Sequence, residues 1–142
     1  MRFKKTVATV LFASLLAACG SEEASMKPQS CLESMPNAID GLQVTGARSE
    51  QNVIKNVWPI VCMAQHKFRE RLKDNPELEG TIEVTLSVEF NGEIGSYRIV
   101  RSTLKDPVVE KQVLRLFQFK DFDPYGPQNS ESEIVFPIHL KP

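Results

Sequence analysis

The chain has 142 residues, which is enough for one compact domain and too few for two ordinary ones. Hydrophobic residues make up 42% of it and charged residues 25%, so the chain can form a packed core and is not disordered throughout. Its 17 basic and 18 acidic side chains give a formal net charge of -1, which argues against nucleic-acid binding, and its two histidines and three cysteines offer little for a metal cluster.

The amino terminus has the charge and hydropathy pattern of an export signal. Its first five residues include three basic ones, and 13 uncharged residues follow. That run has the length of a signal-peptide core and is shorter than the roughly 20 residues that a membrane-spanning helix needs. It ends in Leu16-Ala17-Ala18 followed by Cys19. We therefore expect residues 1–18 to be removed during export.

A cysteine directly after small residues resembles the bacterial lipobox, the signal in which that cysteine is acylated and the preceding peptide is cleaved. The resemblance implies lipidation at Cys19, and acylation with more than one chain gives stable membrane anchoring. Gly20 stands where inner-membrane lipoproteins usually carry Asp, which implies an outer-membrane lipoprotein that faces the periplasm. The alternative is an ordinary secretory signal with an incidental cysteine.

Residues 19–40 contain many Ser, Glu and Pro residues and have no apolar period, which predicts a flexible linker between the lipid and one domain over 41–142. Two more cysteines are present, Cys31 in this linker and Cys62 in the domain. In an oxidising compartment such a pair is more often bonded than free. The alternatives are a disulfide between Cys31 and Cys62 and two separate thiols, with Cys62 buried on a helix.

The domain begins with a long helical pattern. Ser49 suits an N-cap, and apolar residues then recur at three- and four-residue steps over about 50–73. Pro59 lies within the pattern and predicts a kink or a short irregular turn near Asn56. A cluster of basic residues on the polar side of this helix is expected to form a solvated face.

Two strands joined by a hairpin follow. Apolar and polar residues alternate over 80–90, so one side of this strand is expected to be buried and the other to face solvent. Asn91-Gly92 comes next and favours a two-residue type I′ turn. The alternation of the return strand, about 93–101, shifts near Gly95-Ser96, which predicts a β-bulge there.

A second helix and a last strand complete the domain. Asp106-Pro107 provides an N-cap and a proline at the first helical position. The last strand, about 133–140, alternates again, and Pro137 within it has no N–H to donate, so we expect a sheet edge or a bulge there. The order helix, strand, strand, helix, strand predicts an α+β fold, with a three-stranded antiparallel sheet and helices on one face.

Six short segments, by their order and spacing, resemble the carboxy-terminal domain of the TonB family, in particular its AgmX/PglI-like branch. They are GARSE at 46–50, LKDNPELEG at 72–80, NGEI at 91–94, RSTLKD at 101–106, FDP at 122–124 and IVFP at 134–137. The resemblance covers about 41–142. It implies a domain that binds envelope proteins by pairing an extended segment with the edge of its sheet.

The sequence departs from this branch at its cysteines. The branch usually has one cysteine on the first helix and a second on the second helix, but here Gln112 stands where the second is expected. This departure excludes the bond between the two helices that the resemblance would imply, and it favours Cys31 as the partner of Cys62.

The sequence contains no recognisable catalytic or metal-binding motif. His66 and His139 are far apart and lie in no motif, and Cys62 lies on an apolar stripe, where a thiol is usually inert. The sequence also lacks a phosphate-binding glycine loop and zinc-ligand spacing. We therefore expect a non-catalytic protein without a cofactor or metal.

The function predicted instead is an interaction through a strand edge. A small sheet leaves N–H and C=O groups unpaired along its edge, and an extended peptide can complete the ladder. The candidate edge is the last strand, with Glu133, Val135, Pro137 and His139 as binding residues.

Other outcomes remain open from sequence. The partner would be an envelope protein or peptide, or a second copy of this chain in a strand-exchanged dimer. The edge could also be inert because of Pro137 or be covered by the linker, and a binding site could instead lie on the basic helix face at Lys67, Arg69 and Lys73. The alternative function is a peptidoglycan-binding or structural envelope lipoprotein.

Overall fold

The computed structural model describes residues 28–142, so the predicted signal peptide and the lipidation site Cys19 lie outside the described residues. This part of the chain contains three helices and four strands. In chain order they are α1 (Pro28–Glu33), β1 (Gln43–Gly46), α2 (Glu50–Leu72), β2 (Gly80–Glu89), β3 (Ile94–Ser102), α3 (Pro107–Arg115) and β4 (Glu131–Leu140). The predicted α+β class with an antiparallel sheet is confirmed. None of these three helices is long and apolar enough to cross a membrane.

The four strands form one antiparallel sheet in the order β1-β4-β2-β3. The predicted three-stranded sheet is wrong by one strand, because β1 pairs with β4 on the side away from β2. Their register runs from Gln43 opposite Val135 to Gly46 opposite Ser132. β1 has only four residues, of which Val44 alone is half-buried, so its alternation is too short to predict a strand.

The core lies between one face of this sheet and the helices α2 and α3. Buried apolar residues of β2 and β4 alternate with residues of the other face and join a single apolar cluster with residues of both helices. Phe68 of α2, Phe117 just after α3 and Phe136 of β4 are the largest side chains buried there. The opposite face of β2 carries Thr, Glu and Ser side chains.

α2 begins at the predicted residue and continues through Pro59. Ser49 is its N-cap, and the Ser49 hydroxyl accepts a hydrogen bond from the N–H of Asn52. The irregular turn predicted near Asn56 does not occur, since the helix is unbroken over Glu50–Leu72. Residues before and after the proline are buried against the sheet, and this packing compensates for the hydrogen bond that proline cannot donate.

The hairpin between β2 and β3 has a longer loop than predicted. The N–H of Gly92 donates to the carbonyl of Glu89, and the N–H of Glu89 donates to the carbonyl of Glu93, so a three-residue loop, 90–92, lies between the hydrogen-bonded pair Glu89 and Glu93. Gly92 has a φ of +93°, but Asn91 lacks the positive φ that a type I′ turn requires, and the predicted turn type is wrong. The N–H of Phe122 donates to the carbonyl of Gly92 over 2.8 Å and so holds the longer loop.

The bulge predicted near Gly95-Ser96 is confirmed. Ser87 lies opposite Ser96, whereas the next residue of β2 lies opposite Ile94, so Gly95 is the extra residue in β3. A second register shift lies between Glu83 and Val84 of β2. Such bulges increase the local twist of the strand that carries them.

α1 lies within the segment that was predicted to be a flexible linker. The predicted disulfide between Cys31 of α1 and Cys62 of α2 is confirmed, with 5.8 Å between the two Cα atoms. The indole N–H of Trp58 also donates to the carbonyl of Cys31 over 2.8 Å. The side-chain amide of Gln51 donates to the carbonyl of Asn37. The part of the predicted linker that contains Cys31 and Asn37 is therefore attached to α2.

Candidate functional site

The amino-terminal half of β4 is not at the edge of the sheet. Glu133 lies between Thr45 of β1 and Ser87 of β2, and Val135 likewise has a partner on each side. The prediction that these two residues form a free edge is wrong. The physical reason is the short strand β1, which supplies a second ladder to this half of β4.

The carboxyl-terminal half of β4 extends beyond β1. Pro137 lies opposite Glu83 of β2, and His139 lies opposite Thr81, with 2.9 Å between the His139 Nδ1 and the Thr81 Oγ1. β1 begins with Gln43 opposite Val135 and does not reach Pro137, so the missing N–H of Pro137 removes no hydrogen bond from the β1 ladder. These two predicted residues lie on the polar face of the sheet.

β3 forms the edge of the sheet opposite to β1. Within residues 28–142 it pairs with β2 alone, and each of its nine residues is exposed or half-buried. One side of its backbone therefore has N–H and C=O groups with no neighbouring strand in the described part of the chain. Such an edge can accept an extended segment of another chain as an added strand.

The two faces of β3 present different side chains. On the side of the helices, the ring of Tyr97 stacks on the ring of Phe117, with 5.7 Å between centroids and 24° between ring planes. On the polar face, Arg98 and Arg101 are both exposed. The Arg101 Nη2 lies 3.5 Å from the Glu83 Oε2, and the Arg101 side chain is 74% exposed. A strand added to β3 would thus meet an aromatic residue on one face and cations on the other.

A hydrogen-bonded carboxylate fixes the start of α3 after β3. The Asp106 Oδ1 accepts hydrogen bonds from the N–H groups of Val108 and Val109, and its Oδ2 accepts one from the Arg71 Nε over 3.0 Å. Burial by itself would raise the pKa of Asp106, but the hydrogen bonds from Arg71 and the two backbone N–H groups hold this pKa below its usual value. Asp106 therefore connects the end of α2 to the start of α3.

Near the β2–β3 hairpin, the buried side chain of Arg48 connects three segments. Its Nη1 donates to the Asn52 Oδ1 over 2.7 Å and to the carbonyl of Asp123 over 2.8 Å. Its Nη2 donates to the carbonyl of Glu89 over 3.0 Å, and its guanidinium carbon lies 5.3 Å from the ring centroid of Phe122. Burial lowers the pKa of Arg48, and the nearby Asp123 opposes this effect. Arg48 thus positions the hairpin from which β3 begins.

A polar groove of about 400 Å³ lies on the open face of the sheet. Its lining residues come from β2, β3, β4 and the loops beside them: Asp40, Gly41, Thr81, Glu83, Arg101, Thr103, Pro137 and His139. The groove can offer hydroxyl, carboxylate and imidazole groups to a polar ligand. Over residues 28–142, no group of three or more His, Cys, Asp or Glu side chains could hold a metal ion.

Several basic residues of α2 are close to acidic neighbours. The Lys67 Nζ and the His66 Nε2 each lie 3.4 Å from the carboxylate of Glu70. The Arg71 Nη1 lies 3.3 Å from the Asp74 carboxylate. These contacts reduce the net positive charge of the basic helix face, which the sequence left open as an alternative binding site.

Sequence reasoning missed β3 as the open edge. One signal was present, since the apolar residues of this strand do not keep a two-residue period, which is typical of a strand with little buried surface. The sequence did not predict β1, and in a sheet without β1 the strand β4 would be the edge opposite to β3. The chain matches no protein-family model, no curated protein and no solved structure.

Proposed function

We propose that this protein is a non-catalytic outer-membrane lipoprotein whose TonB-like domain binds an extended segment of an envelope protein along β3. The observation that carries the proposal is the open side of β3, which has nine residues and pairs with β2 alone among residues 28–142. Main-chain hydrogen bonds to an added strand would supply affinity, and the side chains of β3 would supply selectivity. The TonB resemblance supports the same mode of binding, on a different strand from the one predicted.

The attachment of α1 supports a lipid tether that leaves β3 accessible. α1 packs on α2, whereas α3 is the helix that packs on β3, and β1 and β3 are at opposite edges of the sheet. The twelve residues from Cys19 to Cys31 span at most about 40 Å when fully extended. In this proposal the domain stays close to the membrane and the β3 edge is available to a periplasmic partner.

Photo-crosslinking in cells tests the interaction. A photoreactive amino acid would replace Ser96, Arg98 or Val100 of β3 in turn. Two exposed residues, Lys55 of α2 and Lys73 directly after it, would serve as control positions. We expect the same protein adduct from at least two of the three β3 positions and little adduct from the controls. Adducts that are absent from β3, or as frequent from α2, would contradict the proposal.

Metabolic labelling with a fatty acid tests the lipid anchor separately. The wild-type chain should incorporate the label and fractionate with the outer membrane, because the pattern before Cys19 resembles a lipobox. The Cys19→Ser variant should lose the label. An unlabelled wild-type chain would exclude the anchor while leaving the β3 interaction to be judged by crosslinking.

Cell-wall binding is the second candidate function, and the polar groove favours it. Thr81, Glu83 and His139 place hydrogen-bonding groups in this groove, as a sugar or a short peptide would require. Sedimentation with purified peptidoglycan tests this candidate, with His139→Ala compared with the wild type. If the wild type sediments with peptidoglycan and His139→Ala does not, the result favours the groove. If the wild type does not sediment, this candidate is excluded.

A further inference from the structure

The segment that contains β3 and α3 is more basic than the chain as a whole. Residues 94–115 include five basic residues and two acidic ones, although the whole chain has a net charge of -1. The first of the two acidic residues, Asp106, is buried and accepts a hydrogen bond from Arg71. The second is Glu110. The flank beside the open edge therefore carries a positive charge that the rest of the chain does not share.

Two of the five basic residues lie on β3 itself and on its polar face. Arg98 is opposite Thr85, a neutral residue, and forms no ion pair within residues 28–142. Arg101 is opposite Glu83, and the 3.5 Å separation of their charged groups leaves the guanidinium largely exposed. An exposed pair of this kind contributes little and can be exchanged for another carboxylate.

The other face of β3 is apolar where an added strand would meet it. Tyr97 is partly exposed at the edge and rests on the buried Phe117, and Ile99 is half-buried on the same face. Side chains of a β-strand alternate between the two faces of a sheet. A strand added beside β3 would therefore place one set of side chains near the arginines and the alternate set near Tyr97.

We propose that the segment bound by β3 is an extended peptide in which acidic residues alternate with apolar ones. The acidic residues face Arg98 and Arg101, and the apolar residues face Tyr97 and Ile99. This inference rests on the proposed function, because it assigns the chemistry of the segment that the same edge binds. Charge complementarity of this type increases selectivity and the association rate.

A displayed library of random peptides tests this specificity, with the full chain purified in detergent as the bait. Selected peptides should show Asp or Glu at alternate positions and apolar residues between them. The best peptide should bind the double variant Arg98→Glu/Arg101→Glu at least about tenfold more weakly than the wild type, and raising the salt concentration should weaken wild-type binding. The control Lys73→Glu, a single charge reversal at an exposed residue directly after α2, should change the affinity by less than about twofold.

A change in the peptide provides the same test without altering the fold. Replacing each Glu of the selected peptide by Gln, and each Asp by Asn, should reduce wild-type affinity by about tenfold. Peptides that slow amide exchange in β3 but show no acidic preference would overturn this inference and leave the proposed function intact. If no selected peptide slows amide exchange in β3, both the inference and the edge interaction are wrong.

Discussion

The Arg71 Nε donates a hydrogen bond to the Asp106 Oδ2 over 3.0 Å, between the last turn of α2 and the N-cap of α3. Asp106 is buried, and its other oxygen accepts from the first backbone N–H groups of α3. One carboxylate therefore both caps a helix and joins it to the neighbouring helix. This contact fixes the path of the chain immediately after the proposed binding edge.

The stability of the domain should depend on the ionisation of Asp106. Its pKa is below the usual value in the folded state, so its carboxylate stabilises the fold fully above the unfolded-state pKa of about 3.9, and this contribution is lost as the pH falls through the folded-state pKa. Asp106→Asn keeps an N-cap acceptor but removes the charge. Urea unfolding should show a difference between wild type and Asp106→Asn that is constant from about pH 7 to about pH 5 and decreases below about pH 4. A difference that stays the same down to about pH 2 would show that the charge of Asp106 does not stabilise the fold.

Arg48 should contribute far more to stability than Lys55, although both contact Asp123. Arg48→Met leaves the carbonyls of Asp123 and Glu89 without their buried donor, and we expect a loss of about 2–4 kcal/mol in the free energy of unfolding. The control Lys55→Met removes an exposed ion pair to the Asp123 carboxylate and should cost less than about 1 kcal/mol. Chemical unfolding of both variants measures the difference, and equal losses would contradict the role assigned to Arg48.

Gly92 should tolerate substitution much less than Gly95. A Cβ on Gly92 would lie 1.8 Å from the carbonyl oxygen of Phe122, and its φ of +93° is unfavourable for other residues. We expect Gly92→Ala to cost about 3 kcal/mol. Gly95 lacks a positive φ, and a Cβ there would meet only the Ser87 hydroxyl at 3.2 Å, so Gly95→Ala should cost less than about 1 kcal/mol. Similar unfolding midpoints for the two variants would exclude the three-residue hairpin loop.

Reduction of the disulfide should destabilise the domain without preventing it from folding. The bond joins residues 31 positions apart, and the chain-entropy model assigns roughly 3–4 kcal/mol to a loop of this length. Urea unfolding with and without a thiol reductant measures this contribution. The control is Cys31→Ala/Cys62→Ala, whose unfolding should not respond to the reductant. The fluorescence of Trp58, the single tryptophan, should also change on reduction because its N–H donates to the carbonyl of Cys31.

Features that depend on nearby residues could be predicted from the sequence. The apolar steps after Ser49 predicted α2, the alternation over 80–90 predicted β2, and Asp106-Pro107 predicted the start of α3. The bulge at Gly95 was also predicted, because the shift in alternation is a local signal. In each case the pattern extends over enough residues, or involves a residue type specific enough, to define the element.

Features that depend on distant residues could not be predicted. The hairpin loop is held by Phe122, which lies thirty residues after Gly92, so the local Asn91-Gly92 signal was misleading. β1 forms because the outer side of β4 is available, and Val44 alone gives no periodic pattern. β1 covers the amino-terminal half of β4, whereas β3 pairs with β2 alone, so the candidate site moved from β4 to β3.

Residue-resolved amide hydrogen exchange, measured on the full chain with and without a bound partner segment, tests the central claim most directly. Binding along β3 predicts slower exchange for the N–H groups within 94–102 that point away from β2, while the ladder between β1 and the amino-terminal half of β4 keeps its protection. The account would be contradicted if exchange in β3 were unchanged and β1 lost its protection. That result would mean that the partner replaces β1 beside β4.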